Sequence, residues 1–274
     1  MIEMNKEKRA VISLTTDFGL RDPFVGVMKG VILNINPSAT IVDISHEIAN
    51  HDLLEAAFIL YSAYKYFPQG TIHLVVVDPG VGTSRRPLLA VSENYQFIAP
   101  DNGVLTYIYR EEALKEVITI TAKRYFLPQI SRTFHGRDIF APVAGWLSTG
   151  VDPQKFGQAV TDFIRLALSE PVQLDDSTLK GAIIHIDRFG NLITNINKST
   201  FERMLKRGTG KKFVLRVGGR EVIKLVETYA QVNKGEIFAL FNSFGLLEIT
   251  LYLQSAARLL KLRRGDEVLI KFLP

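Results

Sequence analysis

Two predicted strands end in segments whose side chains could bind or activate a polar ligand. Asp17 lies in TTDFG (15–19), with Asp22 close behind, and Asp78 follows the valine run 75–77. In α/β proteins, ligands bind in the crevice at the carboxyl ends of the strands. The aspartates are therefore candidates for ligand binding or proton transfer. The alternative for each is a turn or helix cap, which is the commoner role of aspartate.

Two further side chains could join Asp78 in a polar centre. Arg85 follows it by seven residues and could pair with the carboxylate and keep it ionised. The alternative for that pair is a surface ion pair of little energetic value. His135 lies in TFHGRD (133–138), a polar turn before a predicted helix. A single histidine is more often structural than catalytic, although the flanking glycine, arginine and aspartate favour a site.

The C-terminal third contains two polar turns that could bind a ligand or simply end strands. DRFGN (187–191) contains Asp187 and Asn191, and NSFG (242–245) contains Ser243. The Gly-Val-Gly at 80–82 lacks the rest of a dinucleotide or phosphate-loop motif and is weak evidence for phosphate binding.

Composition excludes several classes of protein. The chain contains no cysteine, so disulfides, thiolate catalysis and thiolate metal sites are excluded. The segment MIEMNKEKRA (1–10) has no apolar core of a signal peptide, and no apolar run is long enough for a membrane helix. The net charge is +5, with basic residues spread out except in KRGTGKK (206–212) and KLRR (261–264). We therefore expect a cytoplasmic protein that binds neither nucleic acid nor membrane.

The elements that must position these residues alternate between strands and helices in the first two-thirds of the chain. This pattern predicts an α/β domain over residues 9–168. A polar segment at 169–178 is predicted to be a linker. Short strands with turn signals follow, including a tight hairpin at Gly218-Gly219, and predict a small β-barrel-like domain over 179–274. The expected fold class is thus α/β with a C-terminal β-barrel.

Six segments together resemble one family, and they occur in the family's order over nearly the whole chain. They are TTDFGLRD (15–22), VVVDPGVGTSRR (75–86), PDNGVL (100–105), TFHGRD (133–138), DRFGNLITNI (187–196) and NSFGLLEI (242–249). The chain resembles the S-adenosyl-L-methionine (SAM) hydroxide adenosyltransferases, relatives of the SAM-dependent fluorinases and chlorinases. The resemblance implies hydrolysis of SAM to adenosine and L-methionine, with SAM as substrate and no cofactor. It also implies a homotrimer with SAM between one subunit's N-terminal domain and its neighbour's C-terminal domain.

The resemblance also implies a role for each candidate residue. Asp78, Arg85 and His135 match the triad of the water-using members, and are the predicted catalytic residues. The predicted substrate-binding residues are Asp17 for the ribose hydroxyls, Phe134 beside the ribose, Asp22 and Asp187 near the methionine amino group, Asn191 for adenine and Ser243 for methionine.

Two departures from the halogenase pattern favour water as the nucleophile. Where the fluorinase pattern has tyrosine and serine, this chain has Asp78 and Gly136. A carboxylate near the attack position repels halide by about 4 kcal/mol at about 4 Å, for an effective dielectric of about 20. The same carboxylate can assist water, which must lose a proton as it attacks.

Two other functions remain open on the residues alone. One is a metal-dependent hydrolase using Asp17, Asp22, Asp78 and His135, whose side chains are of types that bind divalent cations. The sequence contains no close histidine pair and no HExxH motif to support it. The other is a SAM- or nucleoside-binding module without turnover.

Overall fold

The computed structural model describes residues 9–207 and 212–273. Residues 208–211, most of the basic segment KRGTGKK, lie outside the described residues, as do residues 1–8 of the N-terminal polar segment. The chain divides into two compact units, Met1–Leu166 and Ala167–Pro274. The domain limits 9–168 and 179–274 stay predictions.

The first unit is a mixed sheet covered by helices. Among its described residues, seven strands lie in the order β2-β1-β3-β5-β4-β6-β7. The strands are β1 (Val11–Thr16), β2 (Thr40–Ser45), β3 (Ile72–Val76), β4 (Pro87–Ser92), β5 (Gln96–Pro100), β6 (Leu114–Ile120) and β7 (Gly157–Ala159). The helices are α1 (Phe24–Ile35), α2 (Leu53–Ala63), α3 (Thr106–Glu111) and α4 (Ala141–Ser148).

The parallel pairing of β1 and β3 explains why two candidate segments meet. The pairs β1–β2, β1–β3 and β3–β5 are parallel, and Thr16 of β1 is in register with Val76 of β3. The segments that follow, carrying Asp17 and Asp78, therefore leave the same edge of the sheet from neighbouring strands.

The apolar run of β3 is buried on both faces. Its alternating side chains Ile72, Leu74 and Val76 pack with Met28 and Ile32 of α1. The intervening Val75, and Val77 just after the strand, pack on the opposite side with Ala56 and Leu60 of α2. A parallel strand between two helical layers has a continuous apolar sequence for this reason. The sequence predicts a helix at 52–66 with Asp52 as its N-cap, and Asp52 does cap α2, accepting a hydrogen bond from the Glu55 N–H at 2.9 Å.

The second unit is an antiparallel, nearly closed barrel with small helices. Its strands are β8 (Val172–Asp175), β9 (Thr178–Ile186), β10 (Leu192–Asn197), β11 (Lys212–Val217), β12 (Arg220–Val222), β13 (Ile237–Phe241), β14 (Leu246–Leu251) and β15 (Glu267–Leu273), and its helices are α5 (Lys198–Arg207) and α6 (Ala256–Leu260). The described strands run β12-β11-β15-β9-β10-β14-β13, with β8 beside β9. An isolated bridge pairs Leu225, three residues after β12, with Ala239 of β13, so the segment that follows one end strand meets the other. The predicted fold class is confirmed.

Some predicted elements differ from the structure. The segment 169–178, predicted to be a linker, contains β8, which pairs with β9. Its four residues, VQLD, do alternate apolar and polar, but they are all exposed, and an alternation this short directly after Pro171 is a weak strand signal. The sequence also predicts a strand at Glu221–Val226, which is wrong in extent because β12 covers only Arg220–Val222. The Gly218-Gly219 hairpin is confirmed, with Val217 paired to Arg220.

In the ranges 9–207 and 212–273, no helix combines the length and the apolar character that a membrane crossing requires.

Candidate active site

Asp78, Arg85 and His135 form a continuous chain of contacts in the first unit. Nε of Arg85 donates to Oδ1 and Oδ2 of Asp78 at 3.0 and 2.8 Å, and Nη2 of Arg85 also contacts Oδ2. The same Nη2 lies 2.8 Å from Nδ1 of His135. The side chains of Asp78 and Arg85 are only 5% and 9% exposed, so this is a nearly buried pair rather than a surface one. The guanidinium also lies over the ring of Phe140, 5.1 Å from its centroid.

The loop between Asp78 and Arg85 folds back on itself through short-range hydrogen bonds. The Thr83 hydroxyl donates to the Gly80 carbonyl at 2.7 Å and accepts from the Arg85 N–H at 3.3 Å. Gly82 has φ +78, and a Cβ there would lie 2.3 Å from the Arg132 carbonyl oxygen. Only glycine allows this close approach, which brings the loop against the segment that carries His135.

A buried carboxylate organises the segment before and after His135. Asp138 is fully buried, accepts from the Ser131 N–H at 2.7 Å and pairs with Arg137 at 2.6 Å. Burial alone would raise the pKa of Asp138, but the hydrogen bonds from Arg137 and the Ser131 backbone lower it. Residues Gly136–Phe140 form a π-type turn that leads into α4, a feature often found at functional sites.

The contact with Arg85 fixes the protonation of the His135 ring. Arginine has only donors, so Nδ1 of His135 must accept, and the neutral ring carries its proton on Nε2. Burial lowers the pKa of His135, and the adjacent Arg85 cation lowers it further. His135 is therefore held neutral beside an ion pair.

Asp17 lies on a turn that an aromatic cluster connects to the His135 segment. Oδ2 of Asp17 accepts from the His51 N–H at 2.9 Å. The ring of Phe18 packs on Phe24 and Phe134, with centroids 5.8 Å from each, and Phe24 and Phe134 are 5.3 Å apart. Asp22 is exposed. Contacts thus connect five of the six predicted site residues of the first unit, either directly or through the adjacent residue in the chain. The exception is Asp22.

In the second unit, Asp187 and Asn191 belong to one tightly bonded turn. Oδ1 of Asp187 accepts from the backbone N–H groups of Phe189 and Asn191, both at 2.9 Å, and Oδ2 accepts from Nδ2 of Asn191 at 2.9 Å. Oδ1 of Asn191 accepts from the Thr250 hydroxyl at 2.5 Å. These bonds set the orientation of the Asn191 amide.

This turn borders a cavity of about 540 Å³ within the second unit. The lining is mostly apolar and includes Phe189, Asn191, Tyr229, Thr250 and Tyr252. Phe189 is 75% exposed, so a large aromatic surface is available to a flat ligand. Ser243 is also exposed, in the turn between β13 and β14.

Sequence reasoning missed a buried acid near this cavity. Glu248 of β14 accepts from the Tyr229 hydroxyl at 2.7 Å. Burial raises the pKa of Glu248, and the charge of Asp187 acts in the same direction. Glutamate in the apolar alternation of β14 is the only sequence signal that could have indicated it.

The side chains of the described residues offer little to a metal ion. Within 9–207 and 212–273, no three or more histidine or acidic side chains are grouped so that they could hold one. Of the four residues considered for a metal site, Asp78 is held by Arg85 through both oxygens.

Comparison with known proteins places the chain in a family. The model of the SAM hydroxide adenosyltransferase N-terminal domain matches residues 12–157, and that of the C-terminal domain matches residues 181–269. The chain belongs to the SAM hydroxide adenosyltransferase family. It is 36% identical to a Methanocaldococcus jannaschii protein named (R)-S-adenosyl-L-methionine hydrolase, over 97% of this chain and 98% of the relative.

Two further sequences and one solved structure are similar to this chain over most of its length. A Thermus thermophilus (R)-S-adenosyl-L-methionine hydrolase is 34% identical, over 92% of this chain and 96% of the relative. A Nocardia brasiliensis fluorinase is more distant, 28% identical over 96% and 97%. The crystal structure of an uncharacterized conserved protein from Thermotoga maritima matches with a TM-score of 0.88 and 38% identity, over 95% of this chain and 99% of that one.

Proposed function

We propose that this protein hydrolyses SAM to adenosine and L-methionine, with water attacking C5′ of the ribose opposite the sulfur. Membership of the family and full-length similarity to two proteins named (R)-S-adenosyl-L-methionine hydrolase support this substrate and reaction. The observation on this chain that carries the proposal is the series of contacts from Asp78 through Arg85 to His135.

Asp78 is the proposed proton acceptor. The sulfonium leaves as a neutral thioether, so no general acid is needed, whereas the attacking water must lose a proton. Oδ1 of Asp78 receives one bond from Arg85, and Oδ2 receives two. Oδ1 therefore has more lone-pair capacity left to accept a proton from water. A general base of this kind contributes about 10²–10⁴-fold to the rate.

Arg85 and His135 are proposed to hold that base in place. Arg85 donates hydrogen bonds to both oxygens of the Asp78 carboxylate and keeps it ionised. His135 accepts from Arg85 at Nδ1, so its neutral ring has no free nitrogen lone pair on that side and carries its proton on Nε2. This arrangement favours Asp78 over His135 as the first proton acceptor, a choice that the sequence leaves open.

The remaining residues are proposed to bind the parts of SAM. Asp17 would bind the ribose hydroxyls, with Phe134 beside the ribose. Asn191 would contact adenine, and the methionine part would lie near Asp22, Asp187 and Ser243. We further propose a cytoplasmic homotrimer in which each site is shared by two subunits, and a reaction without metal or other cofactor.

Product analysis with chelator-treated protein tests the proposal. In oxygen-18 water with EDTA present, the label should appear on the 5′-oxygen of adenosine, together with free methionine. Turnover that EDTA abolishes would favour a metal-dependent hydrolase. SAM binding without turnover would favour a binding module.

Halide competition tests the nature of the nucleophile. Ionised Asp78 paired with Arg85 leaves little net positive charge to attract chloride or fluoride. High concentrations of either salt should therefore give no detectable 5′-halo-5′-deoxyadenosine. If the halogenated nucleoside were the main product, the assignment of Asp78, Arg85 and His135 to water activation would be wrong.

A further inference from the structure

A chain of four polar side chains ends directly beside Asp17. Nζ of Lys29 lies 2.6 Å from Oδ2 of Asp43, and Oδ1 of Asp43 lies 3.0 Å from Nε2 of His46. Nδ1 of His46 lies 2.9 Å from the hydroxyl oxygen of Thr16, the last residue of β1. The chain of contacts thus runs from α1 through β2 to the residue before Asp17.

The inner half of this chain is buried. Thr16 is fully buried and the His46 side chain is 2% exposed, whereas those of Lys29 and Asp43 are 31% and 37% exposed. A polar pair that is buried and satisfied rigidifies its surroundings, because each partner is costly to leave unpaired. Burial tends to raise the pKa of Asp43, but the hydrogen bond from Lys29 and the nearby His46 lower it, so this carboxylate is ionised at neutral pH.

The direction of the hydrogen bonds follows from that charge. Nε2 of His46 lies close to Oδ1 of Asp43 without the geometry of a hydrogen bond, and the adjacent ionised carboxylate, which can only accept, favours a proton on this nitrogen. With the proton on Nε2, Nδ1 accepts from the Thr16 hydroxyl. The Thr16 oxygen in turn accepts from the Phe18 N–H at 3.3 Å, which closes a turn around Asp17.

The same segment holds the turn at two further points. The His46 carbonyl accepts from the Gly19 N–H at 2.8 Å. The His51 N–H donates to Oδ2 of Asp17 at 2.9 Å. The pairing of β1 with β2 also shifts register after Leu14, and such bulges re-aim side chains near functional sites. Residues 43–51 therefore hold the 16–19 turn through a side chain, a carbonyl and an amide.

We propose that Thr16, His46 and Asp43 are positioning residues that set the Asp17 carboxylate for recognition of the ribose hydroxyls. The proposal rests on the role of Asp17 given under the proposed function. A binding group must be held within about 0.5 Å of its productive position. The Thr16–His46 bond supplies this constraint from outside the ligand site.

Discrimination between nucleosides with and without ribose hydroxyls tests the proposal. Adenosine and 2′,3′-dideoxyadenosine are titrated calorimetrically into the full-length protein. Thr16→Val keeps the shape and removes the hydroxyl, and should weaken adenosine binding by roughly five- to tenfold while dideoxyadenosine binding is unchanged. Thr16→Ser keeps the hydroxyl and should restore the original ratio of the affinity for adenosine to that for dideoxyadenosine. If Thr16→Val leaves this ratio unchanged, whether both affinities fall equally or neither falls, the proposal is overturned.

A matched control lies on the same strand. Ser13 and His73 are both fully buried, with Oγ and Nδ1 2.6 Å apart. Ser13→Ala removes a comparable hydroxyl–imidazole bond away from the Asp17 turn, and should lower stability without changing the ligand ratio. If Ser13→Ala changes the ratio as much as Thr16→Val does, the effect is a general one and the proposal is overturned.

Two other variants separate this proposal from the role of Asp17 itself. Asp17→Asn should lose the discrimination; if it does not, the ribose role of Asp17 is wrong, and the positioning proposal falls with it. If Asp17→Asn loses discrimination but the positioning variants keep it, only the positioning proposal fails. Should Thr16→Val not fold, Asp43→Asn, at a more exposed position, is read in its place and should shift the ratio in the same direction.

Discussion

Nη2 of Arg85 lies 2.8 Å from Nδ1 of His135, and the arginine can only be the donor. A proton added to His135 at Nδ1 would therefore face an N–H of the guanidinium and bring two cations together. Protonation of His135 would therefore disturb Arg85 and, through it, the Asp78 carboxylate. No described hydrogen bond joins His135 to Asp78 directly.

The acid side of the pH–rate profile should report His135. Burial and the Arg85 cation lower its pKa from the ordinary value of 6.5. The neutral ring, and with it kcat/KM, should persist as the pH falls below 6.5 and be lost only as the pH passes through the lowered pKa. Arg85→Gln removes the cation and should raise the pKa of His135, measured by NMR titration of the ring. An unchanged or lower pKa in that variant would contradict this account.

Asp78→Asn should separate binding from chemistry. The amide keeps the shape but is not a base, so hydrolysis should fall at least about tenfold, within the range for general bases. Calorimetry should show that SAM still binds. Undiminished turnover would remove Asp78 from the mechanism.

A second aspartate–arginine pair provides the control for Asp78→Asn. Asp101 is 4% exposed and pairs with Arg86 at 2.6 Å, so Asp101→Asn also disturbs an ion pair with a buried carboxylate in the first unit. That variant should lose stability, as breaking such a pair does, while turnover by the folded protein is retained. A comparable loss of turnover in Asp101→Asn would mean that the Asp78 result reflects folding.

His73 should make the protein less stable in acid. It is fully buried, stacks on Phe97 at 5.1 Å and has a pKa lowered by burial from 6.5 to about 3. The unfolded chain binds the proton first, so this contribution to stability is complete above about pH 6.5 and is lost as the pH falls toward 3. The loss should reach about 2 kcal/mol at about pH 5.

Replacement of His73 measures that loss. His73→Phe removes the titrating group and should flatten the dependence of unfolding free energy on pH between about 6.5 and 5, measured by urea denaturation. Thr194→Val, which removes a buried hydroxyl of the second unit and leaves His73 and its contact with Ser13 in place, should retain the slope. An equally steep slope in His73→Phe would assign the acid sensitivity to other groups.

Mixed subunits should test the proposed trimer. If each site takes its base from one subunit and its Asp187 turn from another, Asp78→Asn and Asp187→Ala subunits mixed during refolding should regenerate some intact sites. Activity of the mixture should then exceed that of either variant alone. An active monomer, shown by light scattering together with assay, would contradict shared sites.

The fold was predictable where a local sequence pattern, such as an apolar run or a glycine pair, is typical of one structure. The run through Val75–Val77 gave β3, and Gly218-Gly219 gave its hairpin, because each pattern has one dominant structural reason. α5 was missed although Phe201, Met204 and Leu205, which pack on the core of the second unit, have the i, i+3, i+4 spacing of an amphipathic helix.

The candidate site was predictable only where its contacts are local in sequence or its motifs resemble those of a known family. Asp78 and Arg85 are close in sequence, and their pairing follows from their charges. The contact of Arg85 with His135 spans 50 residues, and that of Thr16 with His46 depends on the register of β1 and β2. Spacing along the chain does not encode either, so resemblance or a structure was needed.

Because of the π-type turn at Gly136–Phe140, the position of His135 depends on the number of residues in this segment as well as on their identity. Such a turn holds one residue more than a regular α-helical turn, and its Ala141 N–H bonds to the Gly136 carbonyl. Deleting one residue there would restore an ordinary helix and rotate everything before it by about 100° relative to α4. His135 would then point away from Arg85 although every side chain of the site was still encoded, so a one-residue deletion is a way to lose this activity without replacing any candidate residue.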